Sequence, residues 1–145
     1  MQMEFWEGIG LMRKLYQQSV EPVCTCFSMT RTELDVLLFL ANNPVFDTAR
    51  DIVEQRKLTK SHVSSSLADL EERGYLERSF QRGDRRTANI RLLPAAEAAV
   101  SAGRQAQLRF FTAVFRNLSS EEAEAMEKTF RKITDNVREI LREEM

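Results

Sequence analysis

A predicted hairpin loop concentrates positive charge in this sequence. Residues 78–91 contain five arginines opposed only by Asp84, which gives the segment a net charge of +4 in a chain whose overall charge is −1. Guanidinium groups bind phosphate oxygens, and a cluster of them at a loop tip suits the DNA backbone. The candidate DNA-binding residues of the loop are Arg82, Asp84, Arg85 and Arg86. Double-stranded DNA is therefore the expected partner, with a solvated loop as the alternative.

A helix predicted to begin just after Thr59 has short polar side chains on its outer side. Val63, Leu67 and Leu70 recur at i, i+4 and i+7, so they are expected to face a core, with Thr59 as the N-cap. Small groups on the opposite side favour close approach to another surface, and Lys60 suits a phosphate. The candidate DNA-binding residues here are Lys60, Ser61, His62, Ser64 and Ser65. For His62, contact with a base, with a phosphate or with solvent alone all remain open.

Cys24 and Cys26 form a C-x-C pair in what is predicted to be a connection over residues 23–29. A disulfide between them would close a very small ring and would be strained. Two inert thiols are one interpretation. The other is a candidate redox or thiol-reactive sensor that responds to an oxidant, an electrophile or a soft metal.

The residue types needed for an enzyme site are missing from the sequence. The chain has one histidine, His62, and neither a glycine-rich phosphate loop nor a cluster of metal ligands. We therefore predict no catalytic site, no metal site and no cofactor.

Composition indicates one helical domain. A chain of 145 residues that is 43% apolar can bury a core, and its apolar residues fall mostly at helical spacing. The longest clean apolar run, residues 36–41, is far shorter than the roughly 20 residues that a bilayer requires. No targeting segment is visible, so we expect a cytoplasmic protein with no membrane partner.

Helix signals place the candidate residues on a helix-turn-helix. An amphipathic helix is predicted over about residues 3–21, ending near Glu21 and Pro22. Thr30 and Thr48 each begin a capping box followed by a helix, and the second of these short helices leads into the one after Thr59. Two short helices in series, with a basic hairpin behind them, are typical of a winged helix-turn-helix.

Both ends of the chain are predicted to form a dimerisation layer. Pro94 suits the first turn of an alanine-rich helix that continues through Leu118, and Ser119 begins a third capping box. The last helix carries a heptad-type stripe made of Met126, Phe130, Ile133, Val137 and Ile140. The predicted fold is mainly α, with a small β-hairpin wing, and the predicted unit is a homodimer. In each chain we predict dimerisation through residues 1–29 and 94–145 and DNA binding through residues 30–93.

Over essentially its whole length the chain resembles the MarR family of winged-helix transcriptional regulators. The order of elements agrees, and Val63, Leu67, Leu70 and Gly74 stand where the family's recognition helix has its apolar residues and glycine. Asp84 and Arg86 fit the D-x-R signature of the family's wing, followed by a hydrophobic strand at residues 90–92. Residues 93–96 depart from the family, whose members usually have Thr and then Gly there.

The resemblance implies a dimeric regulator, by expectation a repressor, that binds a pseudo-palindromic operator with half-sites about 34 Å apart. Arg86 would be the arginine that enters the minor groove, held in shape by Asp84. A small aromatic or phenolic acid would act as effector in a cleft, with Arg13 available to its carboxylate. The cleft residues would be Ile9, Met12, Arg13, Tyr16, Leu34 and Leu38. For each of them the alternative is core packing, with Arg13 as a surface arginine. The alternative function is a winged-helix protein-interaction module without DNA binding.

Overall fold

The computed structural model describes residues 1–80 and 87–143, which form two compact units, Met1–Phe110 and Phe111–Met145. The described elements are, in chain order, α1 Gln2–Phe27, α2 Arg31–Asn42, α3 Ala49–Arg56, α4 Lys60–Glu72, β1 Leu76–Phe80, β2 Ala88–Leu92, a 3-10 turn Pro94–Ala96, α5 Glu97–Val114 and α6 Ser120–Glu143. The predicted mainly α class with a winged helix-turn-helix is confirmed. Among the described helices, none is long and apolar enough to cross a membrane.

Helix α1 continues past the point where the sequence predicted its end, so that prediction was wrong. Pro22 lies inside the helix, although proline removes one backbone hydrogen bond. Pro22 is on the exposed side of the helix. Val20 and Val23 are buried in the core, and their packing keeps α1 helical where the hydrogen bond is missing. As a result Cys24 and Cys26 lie on a helix and not in a connecting loop.

The true end of α1 is set by its backbone. Ser28 adopts the left-handed conformation with φ 52°. The Met29 N–H donates to the Cys24 carbonyl at 2.9 Å, and the Ser28 N–H donates to the Thr25 carbonyl at 3.3 Å. These two bonds form a Schellman motif, which satisfies carbonyls that the helix end would otherwise leave unpaired.

The helix starts follow the predicted side-chain caps. Thr30 with Glu33, and Thr48 with Asp51, make reciprocal capping boxes, as the sequence predicted. Ser119 and Glu122 make the third, in the second unit. Thr59 accepts a hydrogen bond from the His62 N–H and so begins α4.

The core of the first unit is built around α2 and α4. Leu34 and Leu37 of α2 and Leu67 of α4 are fully buried, together with Ile52 of α3. The predicted inward stripe of α4 is confirmed, because Val63, Leu67 and Leu70 are all buried. Since each helix gives one apolar stripe to a shared core, the outer face of α4 is left free on a supported helix.

The hairpin is antiparallel and anchored at its base. Leu76 pairs with Leu92 and Phe80 pairs with Ala88. The hydrophobic strand expected at residues 90–92 forms the second part of β2. The loop before α3 also contacts β2, where the Ile90 N–H donates to the Asp47 carbonyl at 2.7 Å.

Helix α5 is shorter than predicted at both ends. A 3-10 turn occupies Pro94–Ala96, and the α-helix proper runs from Glu97 to Val114, so the predicted continuation to Leu118 was wrong. Asn117 adopts φ 65°, a left-handed conformation that ends a helical path. Small residues on the buried side of α5 allow close contact with α2. A Cβ atom at Gly103 would lie 2.7 Å from Cδ2 of Leu38.

The second unit carries the predicted apolar stripe on α6. Met126, Phe130, Ile133, Val137 and Ile140 are each between 42% and 59% exposed. In α1 of the first unit, Phe5, Trp6 and Leu11 are also more than half exposed. Exposed apolar faces of this extent are typical of subunit contacts, so the homodimer stays a prediction with physical support.

Replacing Gly103 by alanine should destabilise the protein. The added methyl group would overlap the Leu38 side chain, which is buried and cannot move into solvent. Overpacking of this kind costs about 1–3 kcal/mol, more than the roughly 1 kcal/mol that alanine gains over glycine in a helix. Urea unfolding measures the difference.

Gly10→Ala is the matched control, because nothing lies within 4 Å of a Cβ atom at Gly10 of α1. It should stabilise the chain by about 0.5–1 kcal/mol. Equal stability of the two variants would contradict the tight contact between α5 and α2.

Candidate nucleic-acid interface

The predicted contact residues of α4 lie together on its exposed first half. Lys60, Ser61, His62, Ser64 and Ser65 are all exposed. These five residues lie between positions 60 and 65, a stretch of roughly 8 Å along the helix axis. Their short side chains leave the helix backbone accessible, so this surface can approach a groove closely.

The turn before α4 adds a cation that the sequence analysis missed. Lys57 is exposed and adopts φ 55° in the turn between α3 and α4. With Lys60 it flanks the cap residue Thr59, so two ammonium groups lie near the start of α4. Lys57 could have been identified from the sequence, because the turn of a helix-turn-helix lies close to the start of its second helix.

The second half of α4 is committed to contacts inside the protein. Ser66 is buried, at 7% exposure, and so cannot read DNA although it is a serine. Glu71 binds Arg78, and Asp69 lies beside Arg73. The internal ion pairs of α4 therefore lie in its second half, beyond the predicted contact residues.

Two of the five hairpin arginines are paired with glutamates. Arg78 donates to Glu71 from its backbone N–H at 3.0 Å and from its guanidinium at 3.1 Å. Hydrogen bonding from Arg78 lowers the pKa of the Glu71 carboxyl. Arg91 donates from Nε to Glu77 at 2.8 Å. Both glutamates lie just outside the segment whose charge was counted, so the hairpin base is closer to neutral than residues 78–91 suggest.

The loop residues predicted to contact DNA are outside the described residues. These are Arg82, Asp84, Arg85 and Arg86. Arg78 and Arg91, the hairpin arginines that the structure describes, are both paired with glutamates.

The residues predicted for an effector cleft separate into two groups. Leu34 and Leu38 are buried in the core, at 0% and 2% exposure, as the core-packing alternative expected. Met12 and Arg13 are exposed on α1, and Ile9 is half-buried.

Among the residues predicted for the effector cleft, Tyr16 contacts polar side chains of two other helices. Its hydroxyl accepts a hydrogen bond from Gln107 at 3.0 Å, and the Arg31 guanidinium lies 4.7 Å from its ring centroid. The cation next to Tyr16 is therefore Arg31, which the sequence analysis did not single out. Fourteen residues and a helix end separate Tyr16 from Arg31, so no short-range sequence spacing predicts their contact.

The two thiols differ in their surroundings. Cys24 is half-buried, with Sγ 3.9 Å from the Thr30 carbonyl, and burial raises the pKa of its thiol. Cys26 is exposed. Two residues apart on a helix, they point to different sides, so a disulfide between them would require α1 to unwind. Both are free.

Comparison with known proteins finds a family that the chain resembles in sequence. A sequence model of the MarR family matches residues 27–87, which include α2, α3, α4 and β1. No curated protein sequence matches the chain significantly.

Solved structures share the fold. The Staphylococcus aureus MepR–DNA complex superposes with a TM-score of 0.75 at 22% identity, covering 91% of this chain and 96% of that one. A protein of the MarR transcriptional-regulator family from Listeria monocytogenes, complexed with 26mer DNA, gives 0.80 at 12% identity over 91% and 87%. Staphylococcus aureus MarR in complex with salicylate and kanamycin gives 0.78 at 16% identity over 95% and 93%.

Members of this family are transcription regulators, which agrees with the prediction that the chain is not an enzyme. The resemblance inferred from the recognition helix and the wing signature is confirmed by the sequence match and by the shared fold. The chain thus matches the MarR family in sequence over residues 27–87 and shares the fold of MarR-family proteins.

Proposed function

We propose that this protein is a dimeric transcriptional regulator that binds a pseudo-palindromic operator and represses the genes beside it. The observation that carries the proposal is the exposed, short-chained first half of α4, held by a buried stripe on its other side. The MepR and Listeria relatives were both solved with DNA, which supports the same use of the fold here.

In this proposal α4 enters the major groove. Ser61, His62 and Ser65 offer hydrogen bonds to base edges or phosphates, and Lys57 and Lys60 neutralise phosphates. Because serine and histidine each match several bases, DNA shape contributes to specificity as well. Arg86 of the loop enters the adjacent minor groove.

The dimer follows from the exposed apolar faces of α1 and α6. Two copies related by a two-fold axis present two α4 helices, so the operator has two half-sites about 34 Å apart. A cytoplasmic location goes with this function.

Placing a negative charge on the outer face of α4 should abolish specific binding. Ser65→Glu would put a carboxylate against the DNA backbone, and we expect the affinity for DNA from upstream of the protein's own gene to fall at least about tenfold. Fluorescence anisotropy with labelled duplexes measures the affinity. Ser101→Glu is the matched control, an exposed serine on another helix, α5, and should bind like the wild type.

Wild-type-like binding by Ser65→Glu would remove α4 from the interface. If the wild-type protein binds no DNA at low salt, the winged helix serves instead as a protein-interaction module.

The salt dependence of binding tests the wing. Arg86→Ala should weaken binding and reduce the slope of log affinity against log salt by about one, because one phosphate contact and its released counterion are lost. Arg91→Ala is the control, since Arg91 of the same hairpin is paired with Glu77. Its slope should equal that of the wild type, and an unchanged slope in Arg86→Ala would exclude a wing contact.

We further propose that a small phenolic acid or a thiol reagent releases the DNA. The relative solved with salicylate supports the first signal, and here Tyr16 beside Arg31 offers an aromatic ring and a cation to such a ligand. Met12 and Arg13 lie exposed on the same helix. The thiols of Cys24 and Cys26 offer the second signal.

Salicylate or diamide should lower operator affinity, measured in the same anisotropy assay. The diamide effect should vanish when both cysteines are replaced by serine, whereas the salicylate effect should persist. An equal loss under diamide without the cysteines would exclude a thiol sensor, and no response to phenolic acids would exclude that effector class.

A further inference from the structure

One arginine joins the end of α4 to the end of α1. The Arg73 guanidinium donates to the Phe27 carbonyl at 2.6 Å and to the Ser28 carbonyl at 2.8 Å, across a separation of more than 40 residues. Phe27 is the last residue of α1, and Arg73 is the residue that follows α4. The contact therefore links the ends of two helices that are far apart in the sequence.

The geometry requires arginine in particular. The carbonyls at the C-terminus of a helix lack intrahelical donors and carry partial negative charge, so they attract a cation. The planar fork of a guanidinium satisfies two of them at once, which a lysine ammonium on a flexible stem does not do equally well. The Arg73 guanidinium also lies 5.0 Å from the Tyr75 ring centroid, which holds its plane.

Carboxylates from α2 and from α4 itself also lie near this guanidinium. Glu33 of α2 is 3.6 Å from it, and Asp69 of α4 is 3.8 Å from it. Glu33 is 6% exposed, and its Oε2 atom has no hydrogen-bond partner among the described residues. Burial, and then the neighbouring Asp69, raise the pKa of the Glu33 carboxyl. Arg73 is thus the nearest cation to a buried carboxylate as well as the cap of α1.

We propose that Arg73 is a positioning residue for DNA binding, which fixes the C-terminal end of α4 to the C-terminal end of α1 and so sets the orientation of the serine-bearing face. The inference rests on the proposed function. Arg73 itself is 11 residues beyond His62, about 16 Å along the helix, so it acts on the groove contacts through α4 and not by touching the same bases.

A direct phosphate contact by Arg73 is the competing explanation, and the salt slope separates the two. Loss of a phosphate contact lowers the slope by about one. Loss of a positioning contact weakens binding at an unchanged slope, because the number of neutralised phosphates stays the same.

The test compares Arg73→Met and Arg73→Lys with Arg104→Met. Arg104 is a matched control because it also caps a helix end, donating to the Ala41 carbonyl at 3.0 Å and to Asn42 at 2.9 Å, but it joins α5 to α2 and not to α4. Operator affinity is measured at several salt concentrations, and urea unfolding shows which variants remain folded under the assay conditions.

We expect both Arg73 variants to lose affinity by roughly 2- to 30-fold at an unchanged slope, and Arg104→Met to bind like the wild type. Lysine should fail to rescue because it lacks the fork. Recovery of affinity and slope by Arg73→Lys, with a reduced slope in Arg73→Met, would assign Arg73 to a phosphate. Equal affinities of Arg73→Met and Arg104→Met would reduce Arg73 to a structural role.

Hydrogen exchange of the free protein tests the joint without DNA. Arg73→Met should speed amide exchange at residues 28–29 and 73–75, whose N–H groups bond near the two helix ends, and Arg104→Met should not. If the wild type binds no DNA, the proposed function fails and exchange alone decides whether Arg73 joins the helices. Unchanged exchange in Arg73→Met would overturn the joint whatever the DNA result.

Discussion

The burial of α2 is the constraint on which the first unit depends. Leu34 and Leu37 are enclosed on all sides, so the helices that supply their neighbours have little freedom in position. The start of α2 is also held by the Thr30 capping box. The proposed contact with DNA needs a few short side chains at a fixed place, and this packing fixes α4 although its outer face makes no contribution to the core.

Electrostatics in this chain are organised by pairing more than by net charge. An overall charge of −1 gives no indication of a DNA partner, and the arginines nearest the hairpin base turn out to be bound to Glu71 and Glu77. The Arg78–Glu71 pair joins the hairpin to α4, and the Arg91–Glu77 pair joins its two strands. Exposed ion pairs contribute little to stability on their own, so their main effect is to fix the relative orientation of the elements they join.

The sequence predicted the features that depend on short-range spacing. The stripe of Val63, Leu67 and Leu70, the capping boxes and β2 all follow from residues within a few positions of one another, and all are confirmed. Features that depend on distant partners were missed. The end of α1 was placed at Pro22 because local propensity disfavours proline in a helix, and only burial of Val20 and Val23 outweighs it. The contacts of Arg73 with α1 and of Arg31 with Tyr16 join separate elements, so no periodicity reveals them.

Pro22 gives α1 unequal mechanical properties along its length. One backbone hydrogen bond is absent there, so bending the helix costs less at that point than elsewhere. The short piece beyond it, through Phe27, is fastened by Val23 to the core and by two carbonyls to Arg73. Sideways displacement of the long N-terminal arm is therefore absorbed at the proline, whereas displacement of the short terminal piece is passed on to α4. The effect on α4 of a displacement in α1 therefore depends on which side of Pro22 it occurs as well as on its size.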